Sequence, residues 1–225
     1  MPYGDSNLSL DIPHSIAAEI EIITLPQLEI CSDPTKLISD NIHNSMGGNH
    51  LSAFKHAKSV AIAINDKTRP VPHHYLLPPL LEYLKKNGIP SSSIKLVIST
   101  GTHPPMKKQE FSLVVPQAIE EEYEIYSHDC DEQKNLVFLG VTSRGTPVYI
   151  NKRYYEADIK IAVGNIEPHH FMGFSGGSKT VAIGLAGRET IEKNHSMLLD
   201  PRSCIATYET NPMRMDVEEI GKMAG

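Results

Sequence analysis

The chain has 225 residues, 40% of them apolar and 21% charged, with a formal net charge of −6 and a pI near 6.0. That balance excludes nucleic acid and anionic membrane as main partners, and no apolar run reaches the roughly 18 residues that cross a bilayer. The length suits one large domain or two small ones. No basic-then-apolar leader opens the sequence. The three cysteines, Cys31, Cys130 and Cys204, are far apart and odd in number, which points to free thiols in a reducing cytoplasm.

Residues 8–30 alternate loosely between apolar and polar and predict a small N-terminal pair of strands. Ser32 or Asp33, followed by Pro34, opens a helix through about Met46. His43, His50 and His56 read as surface positions on polar helices. Residues 58–64 form a strongly apolar strand, with the polar loop 65–70 at its end. A helix over 71–87 follows, its apolar face at Tyr75, Leu76, Leu80, Leu81 and Leu84, kinked by Pro78-Pro79 and ended by Gly88. The second apolar strand, 94–99, leads into the loop 100–105. Residues 106–123 read as helix, 135–140 and 147–150 as strands, and 158–163 as a third buried strand. Helices over 189–199 and from Asn211-Pro212 to Met223 complete the pattern. Strands alternating with helices predict an α/β fold: a mainly parallel sheet with helices on both faces, Rossmann-like and three-layered.

The stretch after the third buried strand, 164–179, concentrates the unusual chemistry: His169 and His170, Ser175, Gly176, Gly177, Ser178 and Lys179. Glycines let a backbone take positive φ and approach a ligand closely. The segment misses the phosphate-binding pattern G-x-x-x-x-G-K-[ST], because Ser178 stands where glycine must precede the lysine. The bland alternative is a strand-to-helix turn with a solvated Lys179.

Three loops at the carboxyl ends of three apolar strands thus hold Asp66, Thr68 and Arg69; Thr102 and His103; and His169, Ser175 and Lys179. In a parallel sheet those ends share one edge, where α/β proteins bind ligands. Taken singly, each residue has a structural explanation; Asp66 could cap the helix near Pro70, and His103 could be a turn residue. Together they offer imidazoles for proton transfer, an arginine fork for a carboxylate or phosphate, and a lysine nucleophile.

These motifs resemble a known family. Asp66-x-Thr68-Arg69-Pro70, Gly101-x-His103-x-Pro105, Glu167-x-His169-x-x-x-Gly173-Phe174-Ser175-Gly176-Gly177-x-Lys179 and Asn194-His195 are similar, in order and spacing, to the nickel-pincer lactate racemase family. The resemblance implies a nickel-pincer nucleotide, a pyridinium mononucleotide whose two sulfur-bearing arms hold nickel through S, C and S atoms. By position, Lys179 carries its thioamide tether and His195 completes the nickel square, a soft planar set that suits nickel(II). Arg69 matches the residue that grips the substrate carboxylate, with Asp66 orienting it, and Thr68 lies where the cofactor phosphate is held. Asp66, Thr68, Ser175, Gly176 and Gly177 are expected on the cofactor side. His103 and His169 match two acid/base histidines that serve opposite enantiomers of a 2-hydroxy acid during reversible hydride transfer. Residues 1–225 then correspond to the N-terminal domain of a protein about twice as long.

Two positions leave the substrate open: Ser178 stands where lactate racemases have arginine, and His170 where they have an aromatic. The family's C-terminal domain closes the site, so this chain alone is expected to be nearly inactive. Separate biosynthetic proteins would supply the cofactor. Two other readings compete. One is a hydrolase with His103, His169 and His195 as zinc ligands. The other is a non-catalytic module that binds a phosphorylated ligand on the glycine loop.

Overall fold

The structure, a computed structural model, describes residues 2–15, 21, 26, 31–44, 46 and 56–225. It divides into two compact units, Met1–Ser32 and Asp33–Gly225. In the first, strands β1 (Pro2–Tyr3) and β2 (Ser6–Asn7) pair antiparallel across a turn at Gly4. The sequence predicts a strand pair within 8–30. Residues 8–15 carry no strand, and most of 16–30 lies outside the described residues, as does His50.

The second unit opens with α1 (Pro34–His43), whose cap is Asp33: its carboxylate accepts the Lys36 N–H at 2.9 Å. With proline already at the first position, where no N–H is needed, both start signals agree. His43 is exposed on this helix, whereas His56 sits in a turn. Strand β3 (Val60–Asn65) leads to α2 (His73–Lys86), which runs on through Pro78 and Pro79. The helix stops at Gly88, where φ is +89° and the Ile89 N–H returns to the Leu84 carbonyl. Its buried stripe is His73, Leu77, Leu81 and Leu84, close to a four-residue spacing, while Tyr75 is exposed. The true face is therefore rotated by part of a turn from the expected one.

Strand β4 (Ile94–Ser99) follows, with the boundaries the sequence predicts. The expected helix 106–123 is instead a 3₁₀ turn at Lys108–Leu113 and then α3 (Gln117–Glu122). Pro116 lies between them and has no N–H to continue the first. Next comes β5 (Glu124–Ser127), a half-exposed edge strand too short to show a period. A hairpin of β6 (Leu136–Val141) and β7 (Pro147–Asn151) leads through α4 (Lys152–Tyr155) to β8 (Ile159–Ala162). The two-residue strands β9 (Pro168–His169) and β10 (Gly173–Phe174), then α5 (Ser178–Ala182), make up the glycine-rich stretch. Helix α6 (Arg188–His195), ending in a 3₁₀ turn at Ser196–Leu199, and α7 (Pro212–Ala224) close the unit.

Strands β5, β4, β3 and β8 form one parallel sheet in that order. Side chains alternate across it. Val60, Ile62 and Ile64, with Ile94, Leu96 and Ile98, meet Leu77, Leu81 and Leu84 of α2. Ala61, Ala63 and Val97 point the other way, onto Val181 of α5, Met213, Val217 and Ile220 of α7, and Val148 and Ile150 of the hairpin. Each large aliphatic buried in these layers contributes about 1.5–3 kcal/mol. The result is the expected three-layer α/β arrangement.

One polar node joins the layer behind the sheet. Asp216 of α7 is fully buried and accepts hydrogen bonds from Thr142 (2.7 Å), Thr146 (3.0 Å) and the Asn194 side-chain amide (2.8 Å). It thereby holds the hairpin turn and α6 onto α7. Removing the carboxylate strands three buried donors, so Asp216→Ala should lower stability by about 2–4 kcal/mol. Urea unfolding followed by circular dichroism checks this, with Asp216→Asn expected to lose less.

Candidate functional site

The connection after β3 crosses to the α2 face of the sheet, whereas the connection after β8 crosses to the α5 face. Adjacent strands whose loops part in opposite directions leave a crevice at their carboxyl ends. A cleft of about 320 Å³ lies there, walled by Asp66 and Arg69 after β3, by Gly101 and His103 after β4, and by His169, Ser175, Gly176 and Lys179 after β8. His195 reaches the same cleft from the end of α6. Of the residues singled out from sequence, Thr68, Gly177 and Ser178 do not line it.

The loop after β3 is a tight turn organised by Asp66, which is 3% exposed. Its Oδ1 accepts the Thr68 N–H at 2.9 Å and the Thr68 hydroxyl at 2.7 Å. Its Oδ2 lies 2.7 Å from Nδ1 of His103. The carboxylate therefore keeps the ring proton on Nδ1 and leaves Nε2 as the free, proton-accepting nitrogen. The Asp66 carboxylate does not cap α2; it bonds Thr68 and His103, while the Asp66 backbone carbonyl accepts the Arg69 N–H at 3.1 Å. The Thr68 hydroxyl is engaged with Asp66. Arg69 is exposed at the cleft, and no carboxylate pairs with its side chain among the described residues.

The glycine-rich stretch is a self-bonded hairpin. The Ser175 hydroxyl accepts the Glu167 N–H at 3.0 Å and faces the Asn165 and Glu167 carbonyls, so its role in this structure is to shape the loop. Gly176 has φ +72°, and a Cβ there would lie 2.5 Å from the Asn165 carbonyl oxygen. A side chain is excluded on both counts. Ser178 turns away from the cleft: its hydroxyl donates to Glu218 of α7 at 2.8 Å. Ser178 thus supports the loop, whereas His170 lines the cleft.

Electrostatics separates these groups from ordinary surface residues. Burial, and then the positive charges of Arg69 and Arg214, press the Lys179 ammonium down to about 8; Glu167 opposes them. Burial, Lys179, His170, Arg69 and His195 together press His169 down to about 4. The His169 Nδ1 faces the Met172 N–H at 3.4 Å, and its ring meets Phe171 edge-on at 4.6 Å. Phe171 also touches the His195 ring, at 5.6 Å. His195 donates from Nδ1 to the Ile191 carbonyl at 2.8 Å, leaving Nε2 as the free nitrogen, and burial lowers its basicity.

Several residues of the site carried no signal in the sequence. Asn65 and Ser99 are register partners at the ends of β3 and β4, and both line the cleft. Their side-chain oxygens are buried without a hydrogen-bond partner. A polar residue closing an apolar strand is the trace that could have marked them. His103, His169 and His195 do not gather as a tridentate set; the one close triad of metal-binding side-chain types among the described residues is Asp129, Cys130 and Asp131. Histidines 73 and 128 are buried in structural roles, bonded to the Val114 and Ala186 carbonyls.

Burying Lys179 has a signed consequence. Its folded pKa lies below the unfolded value, so the fold disfavours the ammonium at neutral pH, and that cost lifts as pH rises from about 8 to beyond 10. Lys179→Met should therefore stabilise the fold at pH 7 by about 1–3 kcal/mol, with the gain shrinking toward pH 10. Melting temperatures across that pH range provide the check.

The chain matches the family described as lactate racemase N-terminal domain over residues 3–206. It is 30% identical over 227 residues to a lactate racemase of Thermoanaerobacterium thermosaccharolyticum, covering 100% of this chain and 53% of that protein. To a lactate racemase of Lactiplantibacillus plantarum it is 35% identical over 190 residues, 83% of this chain and 45% of that one. The fold superposes on the lactate racemase apoprotein of T. thermosaccharolyticum with a TM-score of 0.86 and 31% identity, over 99% of this chain and 52% of that one. A Thermotoga maritima protein shares the fold, with a TM-score of 0.69 at 22% identity over 87% of this chain and 49% of its own. The chain thus spans about half the length of the curated relatives it matches. Matched along most of its length by sequence and by fold, it belongs to the lactate racemase N-terminal domain family.

Proposed function

We propose that this chain is the N-terminal, cofactor-tethering domain of a cytoplasmic, lactate racemase-like enzyme that racemises or epimerises a small 2-hydroxy acid with a nickel-pincer nucleotide. The observation that carries the reading is the order of the loops. Arg69 follows the central strand β3, His103 follows β4 on one side, and His169 follows β8 on the other. A carboxylate held at Arg69 then has an imidazole to either side, which is what exchange between two mirror-related hydroxy acids requires.

The residues fit the expected cofactor. Lys179 is an amine of lowered basicity inside the cleft, and His195 has Nε2 free because Nδ1 is engaged. Asn65 and Ser99 present buried, unpartnered oxygens to a ligand's polar groups. Lys179 would carry the tether and His195 would supply the nitrogen ligand to nickel. Gly176 and Gly177 would keep the loop backbone close to the ligand, with Ser175, Thr68 and Asp66 holding the loops in shape. Once bound, the group supplies a hydride acceptor, the chemistry that turns an inert C–H bond into a reversible redox step.

The chain's own side chains do the rest. Arg69 binds the carboxylate through its two-pronged fork. His103, its Nδ1 fixed by Asp66, accepts the hydroxyl proton at Nε2 and later returns it. His169 is assigned the corresponding proton transfer for the opposite enantiomer. With a pKa of about 4, free His169 is a weak base; neutralising Arg69 with a carboxylate removes one of the charges that depress it, so substrate binding raises its basicity. The remaining walls of the site are assigned to a C-terminal domain beyond this chain, and cofactor loading to separate biosynthetic proteins. Free thiols at Cys31, Cys130 and Cys204 agree with a reducing compartment, and no described helix is long and apolar enough to cross a membrane.

The deciding measurement is the intact mass and nickel content of the full-length protein from a host that makes the cofactor. A mononucleotide adduct on the Lys179 peptide supports the reading; an unmodified Lys179 without nickel sinks it. In the loaded enzyme, His103→Ala and His169→Ala should each lower kcat by about 10²–10⁴-fold. Imidazole NMR of the apoprotein should show His169 titrating at about 4 and moving upward when lactate is added.

A further inference from the structure

Behind the Gly176-Gly177 turn lies a buried ionic cluster that the mechanism above does not use. Arg214 of α7 is 6% exposed. Its Nη1 donates to the Phe174 carbonyl at 3.1 Å, and its Nη2 pairs with Glu218 one turn further along α7. The other Glu218 oxygen accepts the Ser178 hydroxyl at 2.8 Å. Arg214 therefore grips the turn before the two glycines, and its partner grips it just after them. The guanidinium lies over the Tyr208 ring at 4.9 Å, and its Nε is buried without a partner. The clamp is also tight: a Cβ on Gly221 would lie 2.8 Å from the Ser178 Cβ. Apolar residues of similar shape usually hold helices together as well as a buried ion pair does. The residue next to Ser178 is Lys179.

We propose that Arg214 is a positioning residue for Lys179, acting with Glu218 and Ser178 to fix the backbone turn from which that amine enters the cleft and to keep a positive charge beside it. The inference rests on the reading of Lys179 as the tether. The charged and titratable groups facing Lys179 are Arg69 from the loop after β3, Glu167 and His169 from the loop after β8, His195 from α6 and Arg214 from α7. Arg214 alone among them is fastened to both flanks of the turn, directly or through Glu218. Its cation favours the free amine of Lys179, the form that attacks an acyl carbon.

The test uses the full-length apoprotein and acetic anhydride, an acylating probe that needs no cofactor. Mass spectrometry compares acetylation of Lys179 at pH 8 with that of exposed Lys134 in the same sample. Arg214→Met should slow Lys179 by about fivefold while Lys134 is unchanged, the effect of one nearby charge in a half-buried site. Arg214→Lys, which keeps the charge, should restore most of the rate. Glu218→Gln, which leaves the guanidinium unbalanced, should speed it. A purely structural role would give neither the rescue nor the opposite signs. An unchanged or faster Lys179 in folded Arg214→Met overturns the proposal, as does a Lys variant no better than Met. Should Arg214→Met not fold, the absence of a rate gain in Glu218→Gln overturns it by itself. An adduct-free Lys179 in the loaded host, with these rate changes intact, would remove the tether and leave the positioning role standing.

Discussion

Positive charge is gathered where little negative charge answers it, and much of the site depends on that imbalance. Arg69 and Lys179 share a cleft with His103, His169 and His195, and Arg214 lies behind its glycine turn; of the nearby carboxylates Glu167 lines the cleft, Asp66 is engaged with His103 and Glu218 with Arg214. A half-buried cluster of this kind lowers its own proton affinity, because each added charge raises the cost of the next. Lys179 gives up its proton more readily, and His169 is held in its neutral form. In the proposed reading, the same field would attract a small carboxylate, whose arrival would relieve it. Binding and basicity would thereby be coupled without any moving part.

The sheet makes the convergence possible. Central β3 has neighbours on both sides, and its loop and that of β8 leave for opposite faces. Large side chains at 60, 62 and 64 anchor one layer, while Ala61 and Ala63 leave room on the other for α5, the short helix that carries Lys179. A bulkier residue at 61 or 63 would push that helix outward and move the amine with it. Fold and chemistry thus meet in the alternation along one six-residue strand.

Much of this is legible in the residues. The apolar runs at 60–64 and 94–99 announce buried parallel strands, and the polar loops at their ends mark the cleft. The apolar face of α2 is harder to read, because leucines crowd both sides of its true stripe and only packing decides which are covered. Edge strand β5 leaves no trace, since four half-exposed residues show no period. The partners of Asp66 are invisible for a different reason. Residues 66 and 103 belong to separate loops, and their 2.7 Å contact exists only once β3 and β4 lie in register. Arg214 is hidden in the same way, reading as one more polar residue on an amphipathic helix.

Asp216 reaches further than its distance from the cleft suggests. It holds the side chain of Asn194, and the next residue along α6 is His195, whose ring is fastened to Ile191 and leans on Phe171. The hairpin turn at Thr142 and Thr146 hangs from the same carboxylate. Any loosening at this remote turn is therefore felt one peptide bond away from the candidate nickel ligand. In a protein of this design, the ability to retain metal and the integrity of a surface hairpin would be inherited, and lost, together.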